Sequence, residues 1–173
     1  MSFWNWLKSL FSSEEPVKKI ELPPEATEPL WLTIARAEVG EKEIRGGENP
    51  RIIEYHSKTT GKFKEDEIPW CSSFVCWCLW KANYRHTANA LAVSYRTYGK
   101  SIASIFDAAP GDVVVRSRGK DARGNTLHHV HFLEATPKKS ATKYSAIGGN
   151  QSDAVTIQLA SVDGILSIRR PVR

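Results

Sequence analysis

The pattern of apolar residues changes once along this chain, at Asp107–Asp112 (DAAPGD), and this change is what most limits the possible folds. Before it, apolar residues recur at helical spacing, as in Leu32, Ala35 and Val39, in a helix that Gly40 should close. After it, the chain consists of short segments of strand length, bounded by glycine and polar residues. Helices followed by strands predict an α+β fold, with N-terminal helices packed on an antiparallel sheet.

Four helices and five strands are predicted. The helices occupy residues 29–40, the start of 49–61, Cys71 to about Tyr84, and a short part of 87–99. The strands are Asp112–Ser117, His128–Thr136, Tyr144–Asn150, Ala154–Ser161 and Ile165–Pro171. Because short polar or glycine-bearing connections join the last four strands, we expect them to form an antiparallel meander.

The composition favours a single globular domain with an anionic partner. A chain of 173 residues is long enough to bury a core without disulfide staples. The net charge of +5 suits nucleic acid, a membrane surface or a bacterial envelope polymer. The basic residues form short pairs such as Lys18-Lys19, with no basic block, so we do not expect nucleic-acid binding.

Residues 1–28 are predicted to be an amphipathic segment and a proline-rich linker, ahead of a compact domain at residues 29–173. Phe3, Leu7 and Leu10 share one helical stripe, which favours docking on the domain and leaves peripheral membrane contact through residues 1–13 as the alternative. No signal peptide is recognised, so we expect synthesis in the cytoplasm. The longest apolar run, Phe74–Trp80, is too short to span a bilayer.

All three cysteines lie within eight residues, and the first has a distinct position. Pro69 and Trp70 lead directly into Cys71, which places it in the first turn of a helix. The helix dipole and the unpaired N–H groups there should lower the pKa of the thiol and receive an oxyanion. We therefore predict that Cys71 is a nucleophile. Cys76 and Cys78 should pack in the core, and one helix does not easily allow a disulfide among the three.

A nucleophilic thiol needs a base, and the segment HHVHF supplies three histidines. Strand alternation puts His129, His131 and Leu133 on one face, and His128 on the other. Asn150 follows two glycines at the end of the next predicted strand and is suited to orient an imidazole. Glycines there let the backbone pass close to a neighbour.

The same side chains raise the alternative of a zinc site. Alternation points His128 away from His129 and His131, and the chain has no CxxC pair, so a tetrahedral site is poorly supported. We predict no metal and no cofactor.

Five ordered motifs, IPWCSSFVCWCL, APGDVVV, HHVHF, AIGGNQSDAVTI and IRRP, resemble those of the CHAP and NlpC-type cysteine peptidoglycan hydrolases. The resemblance covers about Leu30 to Pro171. It implies a papain-like fold with Cys71 as nucleophile, His129 as base and Asn150 as the orienting residue. We expect four neighbouring residues to contact substrate: Trp70, Ser72, His131 and Gln151.

The chain also departs from the family pattern. His128 and His131 stand where the family motif has small residues, and Gly148 stands where some members carry a glutamate. Asp112, in the Pro-Gly-Asp turn, is interpreted as structural.

The function implied by the resemblance is thiol-dependent cleavage of an amide bond in peptidoglycan, by an endopeptidase or an N-acetylmuramoyl-L-alanine amidase. We expect a monomer that acts on the cell wall, in the periplasm or outside the cell, as a phage lysis enzyme or as an antibacterial effector with a delivery or immunity protein. The alternative is a non-catalytic wall- or membrane-binding module on a degenerate hydrolase fold.

Overall fold

A computed structural model describes residues 28–173, so the expectations for residues 1–27 lie outside the described part of the chain. The helices are α1 (Leu30–Ala37), α2 (Pro50–His56) and α3 (Cys71–Lys81), with a 3₁₀ helix at Ala92–Thr97. The strands are β1 (Lys100–Ile102), β2 (Val113–Lys120), β3 (Thr126–Ala135), β4 (Lys143–Gly148), β5 (Thr156–Ser161) and β6 (Ile165–Arg170). The predicted α+β class is confirmed.

Most predicted helices are present, but two differ from expectation. In α1, Leu32 and Ala35 are fully buried, whereas Val39 is 47% exposed. The prediction that Val39 points inward is wrong because α1 ends at Ala37, and Val39 no longer follows the helical spacing. The predicted fourth helix is a single 3₁₀ segment. None of the helices in residues 28–173 is long and apolar enough to cross a membrane.

The strands form one antiparallel sheet in the order β1-β6-β2-β3-β4-β5. The predicted meander holds for β3, β4 and β5 and is wrong for β6, which pairs with β1 and β2 instead of β5. The three-residue strand β1 was not predicted from the sequence.

The position of β6 shows that the sheet is curled. Only four peptide steps join Ser161 at the end of β5 to Ile165 at the start of β6, a span of about 15 Å at most. The two strands are four positions apart in the sheet order, which would be about 19 Å in a flat sheet. The sheet must therefore bend so that β5 approaches the β6 side.

Each face of the curled sheet has its own core. The helix-side face carries Val113, Val115, Val130, Phe132 and Ile147, which pack with α1, α2 and α3. The opposite, interior face carries a second cluster: Val114, Leu133, Tyr144, Ala146, Ala160 and Ile168, with Ile105 and Ala108 from the preceding loop. The alternation predicted for β3 is therefore confirmed.

Candidate active site

Cys71 is the first residue of α3, as predicted, and is only 5% exposed. It lines a cavity of about 370 Å³, here called the cysteine cavity. The other residues lining it are Pro69, Ala90, Leu91, Ala92, Val93, Arg118, Thr126, Leu127 and His128. Leu91, Val93 and Leu127 are exposed. The opening to Cys71 is therefore largely apolar.

Three backbone N–H groups lie near the Cys71 sulfur. One belongs to Val130 on β3, and the other two belong to Cys71 and Ser72 in the first turn of α3. β4 pairs with β3 only from Phe132 to Ala135, so the edge of β3 at Val130 is not covered by β4. The thiol lies at this uncovered edge, where N–H groups from a strand and from a helix terminus converge.

Burial raises the pKa of the Cys71 thiol above its ordinary value. The Val130 N–H, the charge of Arg118 and the N–H groups of the first turn act in the opposite direction but are outweighed. The prediction of a lowered pKa is therefore wrong for the free protein, because desolvation exceeds the favourable effect of the helix terminus. At neutral pH the thiol is protonated, so Cys71 would need a base to act as a nucleophile.

His129 has the properties of that base. It is 4% exposed, and its Nε2 lies 3.2 Å from Oε1 of Gln151. The Gln151 amide nitrogen donates to the carbonyl of Thr156 at 2.7 Å, so its oxygen faces His129 and can only accept. Nε2 therefore carries the proton of neutral His129, and Nδ1 keeps a lone pair that has no partner within residues 28–173. Burial and the nearby Arg118 lower the pKa of His129 to about 4, so the imidazole is neutral at pH 7.

The hydrogen bond predicted for Asn150 is made by its neighbour Gln151 instead. Within residues 28–173 the Asn150 side chain makes no hydrogen bond, while its carbonyl accepts one from Arg118 at 3.2 Å. The backbone at Asn150 is left-handed, with φ of 54°. This conformation turns the chain so that the next side chain, that of Gln151, reaches His129.

The glycines before Asn150 allow the close approach that the sequence predicts. A Cβ on Gly149 would lie 2.4 Å from the Trp70 ring, and one on Gly148 would lie 2.7 Å from Cβ of His131. The end of β4 can therefore contact the N-terminus of α3 on one side and β3 on the other. This double contact positions Gln151.

The four residues predicted to contact substrate are all buried: Trp70, Ser72, His131 and Gln151. Trp70 donates from Nε1 to Glu43 at 2.8 Å, and Ser72 donates from Oγ to the carbonyl of Asn89 at 2.6 Å. The side chains of Trp70 and Ser72 are fully enclosed and hydrogen-bonded to the protein, so neither is open to a substrate in this structure. The hydrogen bonds of Trp70 and Ser72 hold the N-terminus of α3 in place. Gln151 orients His129, as described above.

His128 is placed only in part as predicted. It is half-buried and lines the cysteine cavity, because Cys71 belongs to the helix-side core, which is also the side of His128. His128 lies on the face opposite His129, as predicted, but this face is the one that carries Cys71. His129 lies on the interior face, and the Cys71 sulfur lies near the backbone N–H of Val130.

The interior face has a second cavity, of about 350 Å³, here called the arginine–histidine cavity. Its lining residues are Arg116, Ser117, Arg118, His129, His131, Gln158, Leu159 and Ala160. Arg118 lines both cavities and so stands between the thiol and the interior face. Sequence reasoning did not single out the two arginines. Their alternation along β2 was visible, but their position beside His129 depends on the pairing of Arg116 with His129 across the sheet.

The predictions for Cys76, Cys78 and Asp112 agree with the structure. Cys76 and Cys78 are free thiols in the core, and Cys76 accepts a hydrogen bond from Tyr95 at 3.2 Å. Asp112 is structural, since Arg170 donates to both of its carboxylate oxygens at 2.9 and 2.7 Å. This ion pair joins the Pro-Gly-Asp turn to the IRRP motif. Within residues 28–173, no three His, Cys, Asp or Glu side chains are grouped so that they could hold a metal ion.

No protein-family model matches this chain, and a comparison with curated proteins also finds no match.

Proposed function

We propose that this protein is a cysteine peptidoglycan hydrolase with a papain-like fold, in which Cys71 is the nucleophile and His129 the base. One arrangement supports the proposal above all others. A thiol at a helix N-terminus, among three N–H groups, lies at the strand that carries a neutral histidine with a free Nδ1. Helix-start thiol, imidazole and side-chain amide are the components of a nucleophilic acyl-transfer site.

The reaction follows from these groups. As the substrate carbonyl enters the cysteine cavity, Nδ1 of His129 takes the thiol proton and the sulfur attacks the carbonyl carbon. The N–H groups of Cys71, Ser72 and Val130 are available to stabilise the oxyanion. His129 then donates its proton to the leaving amine, and a thioester remains. Water, deprotonated by His129, releases the acid and regenerates the thiol.

Peptidoglycan is proposed as the substrate because of the motif resemblance and the charge. A protein with a net charge of +5 is attracted to an anionic envelope. The bond cleaved is either the muramoyl–alanine amide or an amide of the stem or cross-bridge peptide. We propose that the protein acts as a monomer on the cell wall, as a phage lysis enzyme or an antibacterial effector.

A non-catalytic wall-binding module is the second candidate. It is favoured by the burial of Cys71 to 5% exposure and by the raised pKa of its thiol, because both reduce the reactivity of an unassisted cysteine.

Digestion of purified sacculi distinguishes the two. Wild-type protein should release muropeptides, which mass spectrometry identifies by the bond cut, and Cys71→Ala should release none while remaining folded. Cys76→Ala is the matched control, since it removes a buried thiol from the same helix and should keep most of the activity. Co-sedimentation with sacculi without any release would support the binding module. Release by Cys71→Ala at the wild-type rate would reject the proposed mechanism.

A further inference from the structure

The arginine–histidine cavity is positively charged and has no acidic lining residue. Arg116 and Arg118 both line it, and neither forms an ion pair within residues 28–173. In contrast, Arg36, Arg51 and Arg170 each form an ion pair with an Asp or Glu side chain. Two adjacent arginines without a counter-ion at the end of a cavity are suited to bind an anion.

His131 adds an unused hydrogen-bonding group to this cavity. Its side chain is 1% exposed, its Nε2 lies 2.9 Å from the Tyr144 hydroxyl, and its Nδ1 has no partner within residues 28–173. The Tyr144 side chain is 1% exposed, and within residues 28–173 its hydroxyl has no other hydrogen-bond partner. Because a buried hydroxyl proton needs an acceptor, the Tyr144 hydroxyl donates it to Nε2 of His131.

The proton of neutral His131 then resides on Nδ1. Burial, together with the nearby His129 and the charge of Arg116, holds the pKa of His131 well below its ordinary value, so the ring is neutral at pH 7. Burial raises the pKa of Tyr144 to about 12, so its hydroxyl keeps the proton that it donates. A buried N–H donor without an acceptor is unfavourable, and an incoming oxygen atom would satisfy it.

We infer that the arginine–histidine cavity binds a carboxylate of the peptide whose amide bond is held at Cys71, with Arg116, Arg118 and the Nδ1–H of His131 as its ligands. A carboxylate fits because its planar pair of oxygens can accept from a guanidinium and an imidazole together. Arg118 lines both cavities, so a bound carboxylate lies beside the amide bond under attack. The identity of the peptide rests on the proposed function, whereas the anion site does not.

Direct binding tests the anion site without turnover. Full-length Cys71→Ala protein, labelled with ¹⁵N in its histidines, is titrated with N-acetylalanine and, separately, with N-acetylalanine amide. We expect the carboxylate to shift the His131 Nδ1 resonance and the amide to leave it unchanged. Arg116→Gln and Arg118→Gln should each weaken carboxylate binding at least tenfold. Arg123→Gln removes the same charge from the exposed β2–β3 turn and should leave binding unchanged.

A matched substrate pair tests the link to hydrolysis. Wild-type protein should cleave a peptide with a free carboxylate with a KM at least tenfold lower than that of its amidated form, and in Arg118→Gln this ratio should approach one. Equal KM values for wild type, or equal binding of N-acetylalanine and its amide, would overturn the inference and leave the hydrolase proposal standing. Tighter binding of inorganic phosphate than of N-acetylalanine would overturn the carboxylate assignment. Carboxylate binding in a protein that releases nothing from sacculi would instead reject the hydrolase and leave the anion site standing.

Discussion

The two cavities on either side of β3 differ in chemistry although they share Arg118. The cysteine cavity opens between apolar side chains and ends at a thiol surrounded by backbone N–H groups. The arginine–histidine cavity is lined by two guanidinium groups and two buried imidazoles. The comparison teaches that one strand can serve two purposes, because its alternate residues face different environments. In the proposed mechanism, the helix side accommodates the reacting amide, and the interior side supplies the base and a positive charge.

The largest expected effect comes from removing the base. His129→Ala should lower turnover by about 10²–10⁴-fold, the usual contribution of a general base. His128→Ala, which changes the cysteine cavity without removing the histidine that Gln151 holds, should have a much smaller effect, and His131→Ala should mainly raise KM. Single-turnover kinetics on the three folded variants provide the measurement. Complete loss of activity in His128→Ala alone would show that His128, on the helix side, is the base.

Acid should destabilise the protein through its buried histidines. Burial is the main cause of the lowered pKa values of His56, His129 and His131. Between the pKa of about 6.5 in the unfolded chain and the lower native values, the unfolded state binds more protons, so stability decreases as the pH falls through this window. For His129, with a pKa of about 4, the loss is at most ~3 kcal/mol.

Urea unfolding at pH 7 and pH 4.5 measures this loss. We expect a lower midpoint at pH 4.5 and a smaller difference in His131→Asn, which lacks one of the three buried imidazoles. Equal midpoints for the wild-type protein at the two pH values would contradict the neutral, buried state assigned to His129.

The next prediction compares two neighbouring residues, Gln151, which is hydrogen-bonded to His129, and Asn150, which forms the turn before it. Gln151→Ala removes the acceptor for Nε2 and should lower kcat by about 10²-fold, as expected when a catalytic group loses its alignment. Asn150→Gly is the matched control, because glycine accepts the left-handed backbone at this position and only the unbonded amide is lost. A lower kcat in Asn150→Gly than in Gln151→Ala would show that Asn150 orients His129.

The smallest effect is expected at the two glycines at the end of β4, where Gly149 contacts α3 and its N-cap and Gly148 contacts β3. Gly149→Ala should destabilise the protein by ~1–3 kcal/mol, because its Cβ would overlap the buried Trp70 ring and approach Phe74 to 2.7 Å. Gly148→Ala should cost less, since its shortest contact is a single Cβ atom of His131 at 2.7 Å. Thermal unfolding ranks the two variants. A larger cost at Gly148 would mean that the contact with β3, and not the contact with α3, is the more rigid.

The sequence alone determined the features that depend on neighbouring residues. The start of α3 at Cys71, the alternation along β3, the core positions of Cys76 and Cys78 and the turn at Asp112 follow from local spacing and turn chemistry. The glycines before Asn150 also indicated a close approach, although they did not show what approaches. These signals are readable because each lies within a few residues of the feature that it predicts.

The tertiary structure alone decided the features that depend on residues far apart in the chain. The curl of the sheet places β6 beside β2, and the strand register places Arg116 opposite His129. The hydrogen bond to Nε2 of His129 is made by Gln151 and not by Asn150, because the backbone at Asn150 is left-handed. The thiol pKa rises because the chain folds over Cys71, and the free energy of desolvating a charge depends on all the atoms that exclude water, most of which are distant in sequence.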